Sequence, residues 1–440
     1  MNASDTIFAP ASGVGKAGIA VIRVSGTKVL EALEVICGIK NPKARQVRFA
    51  EIKNPLTKEV IDKGIVIYFA GPESYTGEDV AELQIHGGRA VLKEVLEALS
   101  SVKGLRTAEA GEFSRRAVMN GKMDLTSAEG VADLINADTK AQRKQALRQL
   151  SGELGNLYED WRHKLVKVLA SIEAFIDFPE EDIPPESINT AKQAVTSLIE
   201  EINRHLDDNR RGEILKSGFN IAIIGTPNAG KSSLLNRLVK RDVAIVSKTA
   251  GTTRDVIEAY VDIDGYPVIF ADTAGLREAT EEIEAEGIKR ALAKAENSDL
   301  ILAVFDGEKY PEMDKETQEL AKDKGLYIVN KSDILKAPVS DDLFPISALT
   351  GEGIDKLWAK ISSIVTEKLS LQESPALTSV RHRESLNDAV SFLQRSMNAP
   401  QLDLQAEDIR MAARSLGSIT GFIGVEEILD MVFKDFCIGK

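Results

Sequence analysis

Cysteine is nearly absent. Cys37 and Cys437 are the only two in 440 residues, too few for a disulfide scaffold or a Cys-rich zinc site. Long apolar runs are missing as well: stretches such as Leu300 to Phe305 fall far short of the roughly 20 residues that span a bilayer. Met1 to Pro10 has no basic start followed by an apolar stretch, so no secretory leader is expected. These absences predict a cytoplasmic protein with no membrane partner. An excess of basic residues is also lacking, since 55 Lys and Arg stand against 68 Asp and Glu, a net charge of −13. Such a surface does not coat nucleic acid indiscriminately, although a local basic patch can still hold one RNA. What is present, 43% hydrophobic and 28% charged residues, is the composition of a folded chain. At roughly 150 residues per domain, the length suggests about three domains.

Three regions separate on pattern. Residues 1–122 mix short strand-like runs (Gly18–Val24, Gly64–Phe69, Ala81–His86) with turn residues and a helical pattern at Ala90–Leu99, which reads as an α+β domain. From Leu125 the spacing of Leu134, Ala137, Ala141, Leu147 and Leu150 predicts long helices, continued by Leu154 to Phe175. Asp177-Phe178-Pro179 breaks that helix, and Pro184-Pro185 opens a new segment running to about Arg211. Residues from Phe219 to about Leu369 alternate strand and helix, the pattern of a doubly wound parallel sheet. Ile221–Ile224, Val268–Ala271, Leu300–Phe305 and Leu326–Val329 are apolar enough for central strands. Helical patterns return after Pro375, at Arg383–Met397 and Ala406–Leu416. The α/β unit therefore reads as an insertion within one helical domain.

The inserted region carries the chemistry. Gly225-Thr-Pro-Asn-Ala-Gly230-Lys231-Ser232 follows an apolar strand and opens a helix, the context that gives a P-loop its meaning. A Gly-rich turn with no ligand would not need those flanks. The backbone around Asn228, Ala229 and Gly230 can wrap phosphates, and N–H groups at the helix N-terminus, through Ser233, attract their charge. Lys231 is placed for the β- and γ-phosphates and Ser232 for Mg²⁺.

The base is readable too. Asn330-Lys331-Ser332-Asp333 follows the strand Leu326–Val329, at the edge where such a sheet binds ligands. The Asp333 carboxylate accepts two N–H bonds from guanine, where adenine presents an acceptor. A mismatch that leaves buried polar groups unpaired discriminates by about 10⁴ or more. Ser347-Ala348-Leu349 offers a backbone N–H for the guanine O6. Asp272-Thr273-Ala274-Gly275 ends another strand, with Asp272 suited to hold Mg²⁺ through water and Gly275 to approach the γ-phosphate. Gly251-Thr252-Thr253-Arg254-Asp255 supplies a threonine, Thr253, as the metal's second protein ligand; ordinary turn chemistry is the alternative for both threonines. Together these elements predict a GTPase. Leu276 stands where Ras-like enzymes have a water-orienting Gln, so another group must serve, and Glu278, Glu281, Glu282, Glu284 and Glu286 crowd the next segment. Most of these glutamates fit a solvated helix face equally well.

The flanks narrow the reading. Tyr75-Thr-Gly-Glu-Asp-Val-Ala-Glu82, His86-Gly-Gly, Gly111-Glu-Phe-Ser-Arg-Arg-Ala, Asn120-Gly-Lys-Met-Asp-Leu125 and the terminal Phe436-Cys-Ile-Gly-Lys440 closely resemble the MnmE (TrmE) family of tRNA-modifying GTPases, over essentially the whole chain. The resemblance implies a multidomain α/β and α+β fold: a tetrahydrofolate-binding and dimerisation domain at 1–122, a helical domain at 123–214 and 371–440, and an inserted Ras-like G domain at 215–370. It implies modification of the wobble uridine of certain tRNAs at carbon 5, together with the flavoprotein MnmG (GidA) in a heterotetramer built on a homodimer. A 5-formyl- or methylene-tetrahydrofolate would supply the one-carbon unit, held by Arg23, Glu82, Lys122 and Lys440. Arg or Lys can pair with the glutamate tail of a folate, and a carboxylate suits its pterin edge. The resemblance further implies K⁺ as the missing positive charge, held by Asn228 with Ser247, Thr249 and Thr252 in the segment that also contains Ala250 and Gly251. Glu284 would orient the attacking water, making Glu284, Asn228 and Lys231 the catalytic set.

Plainer readings exist for some of these residues. Arg23 alone would pass for a surface ion pair and His86 for a packed or turn histidine. Cys437 mimics a prenylation box, but the Gly and final Lys after it do not fit one; a packed thiol and a thiol role near the folate pocket both remain. A ribosome-assembly switch would carry an RNA-binding module instead of these ends. A membrane GTPase would show an amphipathic basic helix or lipidation signal.

Overall fold

The computed structural model describes residues 5–13, 15–178, 186–241, 258–272, 295–370 and 375–422, with 429, 432, 433, 436, 437 and 439 beyond them. The chain divides into two compact units, one of residues 1–132, 148–199 and 385–440, the other of 133–147 and 200–384.

The first unit contains a six-stranded sheet of β1 (Thr6–Pro10), β2 (Ala17–Ser25), β3 (Val47–Lys53), β4 (Val60–Phe69), β5 (Val80–Gly87) and β6 (Leu105–Thr107). Their order is β3-β4-β5-β2-β1-β6, antiparallel except for the β1–β6 pair. Alternation of side chains along a strand sorts its residues to two faces. Ile22 and Val24 of β2 with Ala81, Leu83 and Ile85 of β5 turn to a core that also holds Leu33, Ile36, Val95 and Leu99 of helices Val29–Cys37 and Arg89–Ser100. Arg23 and Glu82, one position out of phase, therefore share the opposite face. In the same unit, helix Glu153–Asp177 buries Tyr158, Trp161, Leu165 and Ile172. It packs along helix Leu402–Thr420, and Arg410 of the latter pairs with Glu173 at 2.8 Å.

The second unit contains the other six-stranded sheet: β7 (Phe219–Ile224), β8 (Glu258–Ile263), β9 (Tyr266–Asp272), β10 (Leu300–Asp306), β11 (Gly325–Asn330) and β12 (Phe344–Pro345). The order is β12-β11-β10-β7-β9-β8, parallel except for the β8–β9 hairpin. Ile221, Ile223, Leu302 and Ile328 pack with Leu234, Leu357 and Ile361 on one face. Ala222, Ile224, Ile301 and Phe305 fill the other. Burial on both faces explains the unbroken apolar runs of these strands. Between β7 and β10 the chain order reverses direction, which opens a crevice at the strands' C-terminal ends.

Two helical expectations need correction. The pattern from Leu134 to Leu150 is not one helix: Leu125–Ile135 and Lys140–Leu150 are separate. Thr139 and Gln142 form a reciprocal cap, with Gln142 Oε1 accepting from Thr139 N at 3.1 Å and Thr139 Oγ1 from Gln142 N at 3.4 Å, which starts a new helix there. The segment expected to run to Arg211 stops at Leu206, and a second helix begins at Arg211. Between them Asn209 and Arg210 adopt φ of 51° and 57°, incompatible with a continuous helix.

Candidate nucleotide and folate sites

The phosphate loop leaves β7 at Gly225, where a Cβ would lie 2.1 Å from the Val304 carbonyl oxygen, so only glycine lets β7 and β10 stay paired there. Gly230, at φ 92°, caps helix Lys231–Val239. Leu234, Leu235 and Leu238 anchor that helix in the core, fixing where its N-terminus points. Lys231 is buried and donates from Nζ to the Gly225 and Thr226 carbonyls at 2.8 and 2.9 Å. Ser232 and Ser233 lie exposed in the first turn, beside Asn228 and the buried Ala229.

A cavity of about 600 Å³ joins this loop to the base-reading segments. Asn228, Gly230 and Ser233 line one side; Asn330, Asp333 and the Ser347-Ala348-Leu349 loop line the other. Asn330 is the connector. Its Nδ2 donates to the Ala229 carbonyl at 2.8 Å and its Oδ1 accepts from Ala348 N at 3.0 Å. Asp333 is exposed at the rim.

Sequence reading missed two members of this arrangement. Asp306, in register with Asn330 across β10 and β11, takes Lys331 Nζ at 2.8 Å. Burial works to raise the Asp306 pKa, but the Lys331 ammonium and the Glu308 amide hold it below the ordinary range, while the bond to Asp306 raises Lys331. Arg237 donates to the Leu349 carbonyl at 2.6 Å and lines the cavity too. An acidic residue ending an apolar strand was the one available signal for Asp306. Ser247, Thr249, Ala250, Gly251, Thr252, Thr253, Thr273, Ala274, Gly275 and Glu284 lie outside the described residues. Asp272 ends β9, its backbone paired with Ile223 of β7.

In the first unit, Arg23 and Glu82 are register partners on β2 and β5 and meet at 3.1 Å. The Arg23 side chain is 13% exposed, so it is no ordinary surface ion pair. Its guanidinium lies over Tyr75 at 4.9 Å and Phe113 at 5.7 Å, and among the described residues nothing partners its Nη1. The Tyr75 and Ser114 hydroxyls bond at 2.7 Å. Asn120 Nδ2 donates to the Thr76 carbonyl at 2.7 Å, and the exposed Lys122 packs its stem beside Gly77. The Tyr75 block thus brings Arg23, Glu82 and Lys122 around one loop. The Gly111 block supports it: Glu112, 2% exposed, binds Arg106 at 2.6 Å and Arg116 at 3.0 Å, and Arg116 continues to Glu78.

The C-terminal segment lies on the same unit. Phe433 and Phe436 pack against Gly111, and the Cys437 carbonyl accepts from Gly111 N at 3.4 Å. The Cys437 side chain is exposed, so the packed-thiol alternative does not hold. Burial instead pushes the Cys37 thiol up to about 12. Lys440 lies outside the described residues. His86 is neither packed nor in a turn: it is the penultimate residue of β5, 73% exposed, with its ring on Asp62 at 2.8 Å. No three His, Cys, Asp or Glu side chains among the described residues gather as a metal site, and no described helix is long and apolar enough to cross a membrane.

Comparison with known proteins decides the family. The description "GTP-binding protein TrmE N-terminus" matches residues 6–122, and "MnmE helical domain" matches residues 125–437. The chain belongs to the MnmE (TrmE) family of tRNA modification GTPases. A Rhodospirillum rubrum MnmE, a tRNA modification GTPase, is 47% identical over 99% of both chains. The Paramagnetospirillum magneticum MnmE is 50% identical over 99% of this chain and all of its own. Among solved structures, the G domain of the Thermotoga maritima FeoB iron transporter is similar at 25% identity over 33% of this chain and 97% of its own, with a TM-score of 0.26.

Proposed function

We propose that this GTPase couples GTP hydrolysis to installation of an aminomethyl or carboxymethylaminomethyl group at carbon 5 of the wobble uridine of tRNA, as a cytoplasmic homodimer working with the flavoprotein MnmG. The observation that carries the nucleotide half of this reading is the cavity whose two walls Asn330 ties together. The phosphate loop stands on one side and a carboxylate suited to guanine on the other. Lys231 and the first-turn amides would hold the phosphates, Asp333 the guanine edge and the Ala348 amide region its O6. Ser232 and Thr253 are the residues for Mg²⁺, with Asp272 acting on it through water. Asn228, Ser247, Thr249 and Thr252 are those for K⁺, which would supply positive charge near the transferred phosphoryl group. Glu284 would orient water in place of the Gln that Leu276 replaces.

The folate half rests on Arg23. A buried guanidinium with an unpartnered nitrogen and a neighbouring carboxylate suits a ligand that carries both an anionic tail and a donor-rich ring. Lys122, Lys440 and the exposed Cys437 complete that set, with Cys437 in a thiol role. The domain division that fits is 1–122 for folate and dimerisation, 123–214 and 371–440 for the helical domain, and 215–370 for the G domain. The test has two parts. Purified protein should prefer GTP to ATP, with Asp333→Asn moving the preference toward xanthine nucleotides; equal hydrolysis of ATP and GTP refutes the guanine site. Mass spectrometry of tRNA nucleosides from a deletion strain should show the wobble modification lost.

A further inference from the structure

The turn after β10 closes on the base-reading segment. Asp306, 8% exposed, ends the strand, and its Oδ1 accepts from Glu308 N at 3.1 Å, which folds the turn back on itself. Gly307 N donates to the Asn330 carbonyl at 2.8 Å. A Cβ on residue 307 would lie 2.4 Å from that same oxygen, so only glycine permits the approach. The contact brings two carboxylates to Lys331, whose Nζ donates to Asp306 Oδ2 at 2.8 Å and to Glu308 Oε1 at 3.3 Å. Lys331 itself stands at φ 64°, a conformation that costs energy in a residue other than glycine. The side chains of the main pair are 28% exposed for Lys331 and 7% for Asp306. That sets it apart from exposed ion pairs, which are worth little.

Lys331 also lines the nucleotide cavity, beside Asp333 and Ile334. Among the described residues Asp333 is the only carboxylate in that lining, and it is exposed. A lysine side chain is an apolar stem with a charged head. With the head fixed on Asp306 and Glu308, the stem can wall the cavity and offer a flat base an apolar face. An ammonium released from Asp306 has another carboxylate two residues away on its own loop, and opposite charges at such range attract strongly. Pairing there would occupy the lone pairs that must accept guanine's N–H groups.

We propose that Asp306 is a positioning residue for base selection. It holds the Lys331 ammonium away from Asp333, so that the Asp333 carboxylate stays free for the guanine edge while the Lys331 stem packs on the ring. The proposal rests on the guanine reading of Asp333 given above.

The experiment is calorimetry on the full-length protein with GDP, IDP and inorganic pyrophosphate. IDP lacks the 2-amino group, one of the two donors that Asp333 takes, so wild-type protein should prefer GDP by about tenfold or more. Asp306→Asn keeps an acceptor for Glu308 N and removes the charge. It should weaken GDP binding by about tenfold and bring the GDP-to-IDP ratio toward one. Pyrophosphate affinity, which reads the phosphate loop and the integrity of the fold, should not change. Lys331→Met keeps a stem without an ammonium and should retain the wild-type ratio. Adding Asp306→Asn to Lys331→Met should change neither GDP affinity nor the ratio, because Asp306 then has nothing to hold. This second comparison stands even where Asp306→Asn alone does not fold, since the double variant is neutral at both positions. Unchanged GDP affinity and ratio in Asp306→Asn overturn the proposal. So does pyrophosphate affinity that falls in step with GDP, or a double variant that loses GDP affinity relative to Lys331→Met; either outcome makes Asp306 a purely structural residue. Wild-type protein that binds pyrophosphate but shows no preference for GDP over IDP removes the guanine reading itself.

Discussion

Gly230 and Asn330 stand so close that a Cβ on residue 230 would lie 2.1 Å from Asn330 Nδ2. The phosphate loop and the base loop are therefore a single packed object, and damage to one is transmitted to the other. Gly230→Ala should push Asn330 off the Ala229 carbonyl and weaken nucleotide binding by more than about tenfold. Asn330→Ala should leave the buried Ala229 carbonyl unpaired, at about 1–3 kcal/mol, and the half-buried Ala348 amide without its partner. Titration with a fluorescent GTP analogue and thermal unfolding together check both, and normal affinity in either variant contradicts the coupling.

The carboxylate of Glu112 sets an acid limit on the first unit. Burial works to raise its pKa, but Arg106, the Glu109 amide and Arg116 bring it below the ordinary 4.5. A folded-state pKa below the unfolded one means that the stabilisation is complete above about pH 4.5 and is lost as pH falls through the lower folded value. Unfolding of the wild type should therefore steepen in its pH dependence below that point, and Glu112→Gln should flatten it. Removing one partner of a buried pair also costs about 3 kcal/mol at neutral pH, so denaturant titrations of the variant should show a loss of that order.

Hydrolysis should be faster in K⁺ than in Na⁺ at equal ionic strength. A cation at the phosphates acts where transition-state charge accumulates, and removing such a contribution costs about 10²–10³ in rate. Asn228, held at φ 64° in the phosphate loop, should carry most of this dependence, so Asn228→Ala should respond little to the salt. Glu284→Ala should slow turnover while leaving GTP affinity nearly intact, unlike Lys231 and Asp333 variants. Equal wild-type rates in the two salts, at a concentration that permits G-domain pairing, would remove the cation mechanism.

Reduced folate should bind through Arg23 and Glu82. Calorimetry with 5-formyltetrahydrofolate should show strong binding to the wild type and a loss of about a hundredfold or more in an Arg23→Ala, Glu82→Ala double variant. Tyr75→Phe deletes only the hydroxyl that reaches Ser114 and should cost far less. Unchanged affinity in the double variant moves the pocket elsewhere.

The nucleotide site was legible in the sequence because its parts are short, contiguous and tied to strand ends. The chain order of the phosphate loop, Asn330-Lys331-Ser332-Asp333 and Ser347-Ala348-Leu349 already forecasts their meeting at one edge of the sheet. What escaped notice depends on contacts that only the fold creates. Asp306 acquires a role only when β10 and β11 lie in register, and Glu112 only when Arg106 and Arg116 converge on it. The break at Thr139 escaped for the opposite reason. Apolar periodicity averages over several turns and hides a local cap, although Thr139 and Gln142 spelled out that cap. Arg23 looked like a surface cation because a single strand does not reveal which rings its neighbours bring over it.

Glu173 and Arg410 are 237 positions apart, yet they belong to one helix pair in one unit. During synthesis the first helix emerges long before its partner exists. At about 5–20 residues per second, a ribosome needs roughly 10–50 s to cover that separation. For that interval the apolar stripe of Leu165, Val168 and Ile172 has no mate, while the intervening strands can already assemble their own sheet. The strands of the nucleotide site are thus synthesised before the scaffold helix that begins at Glu153 meets its partner helix at Leu402.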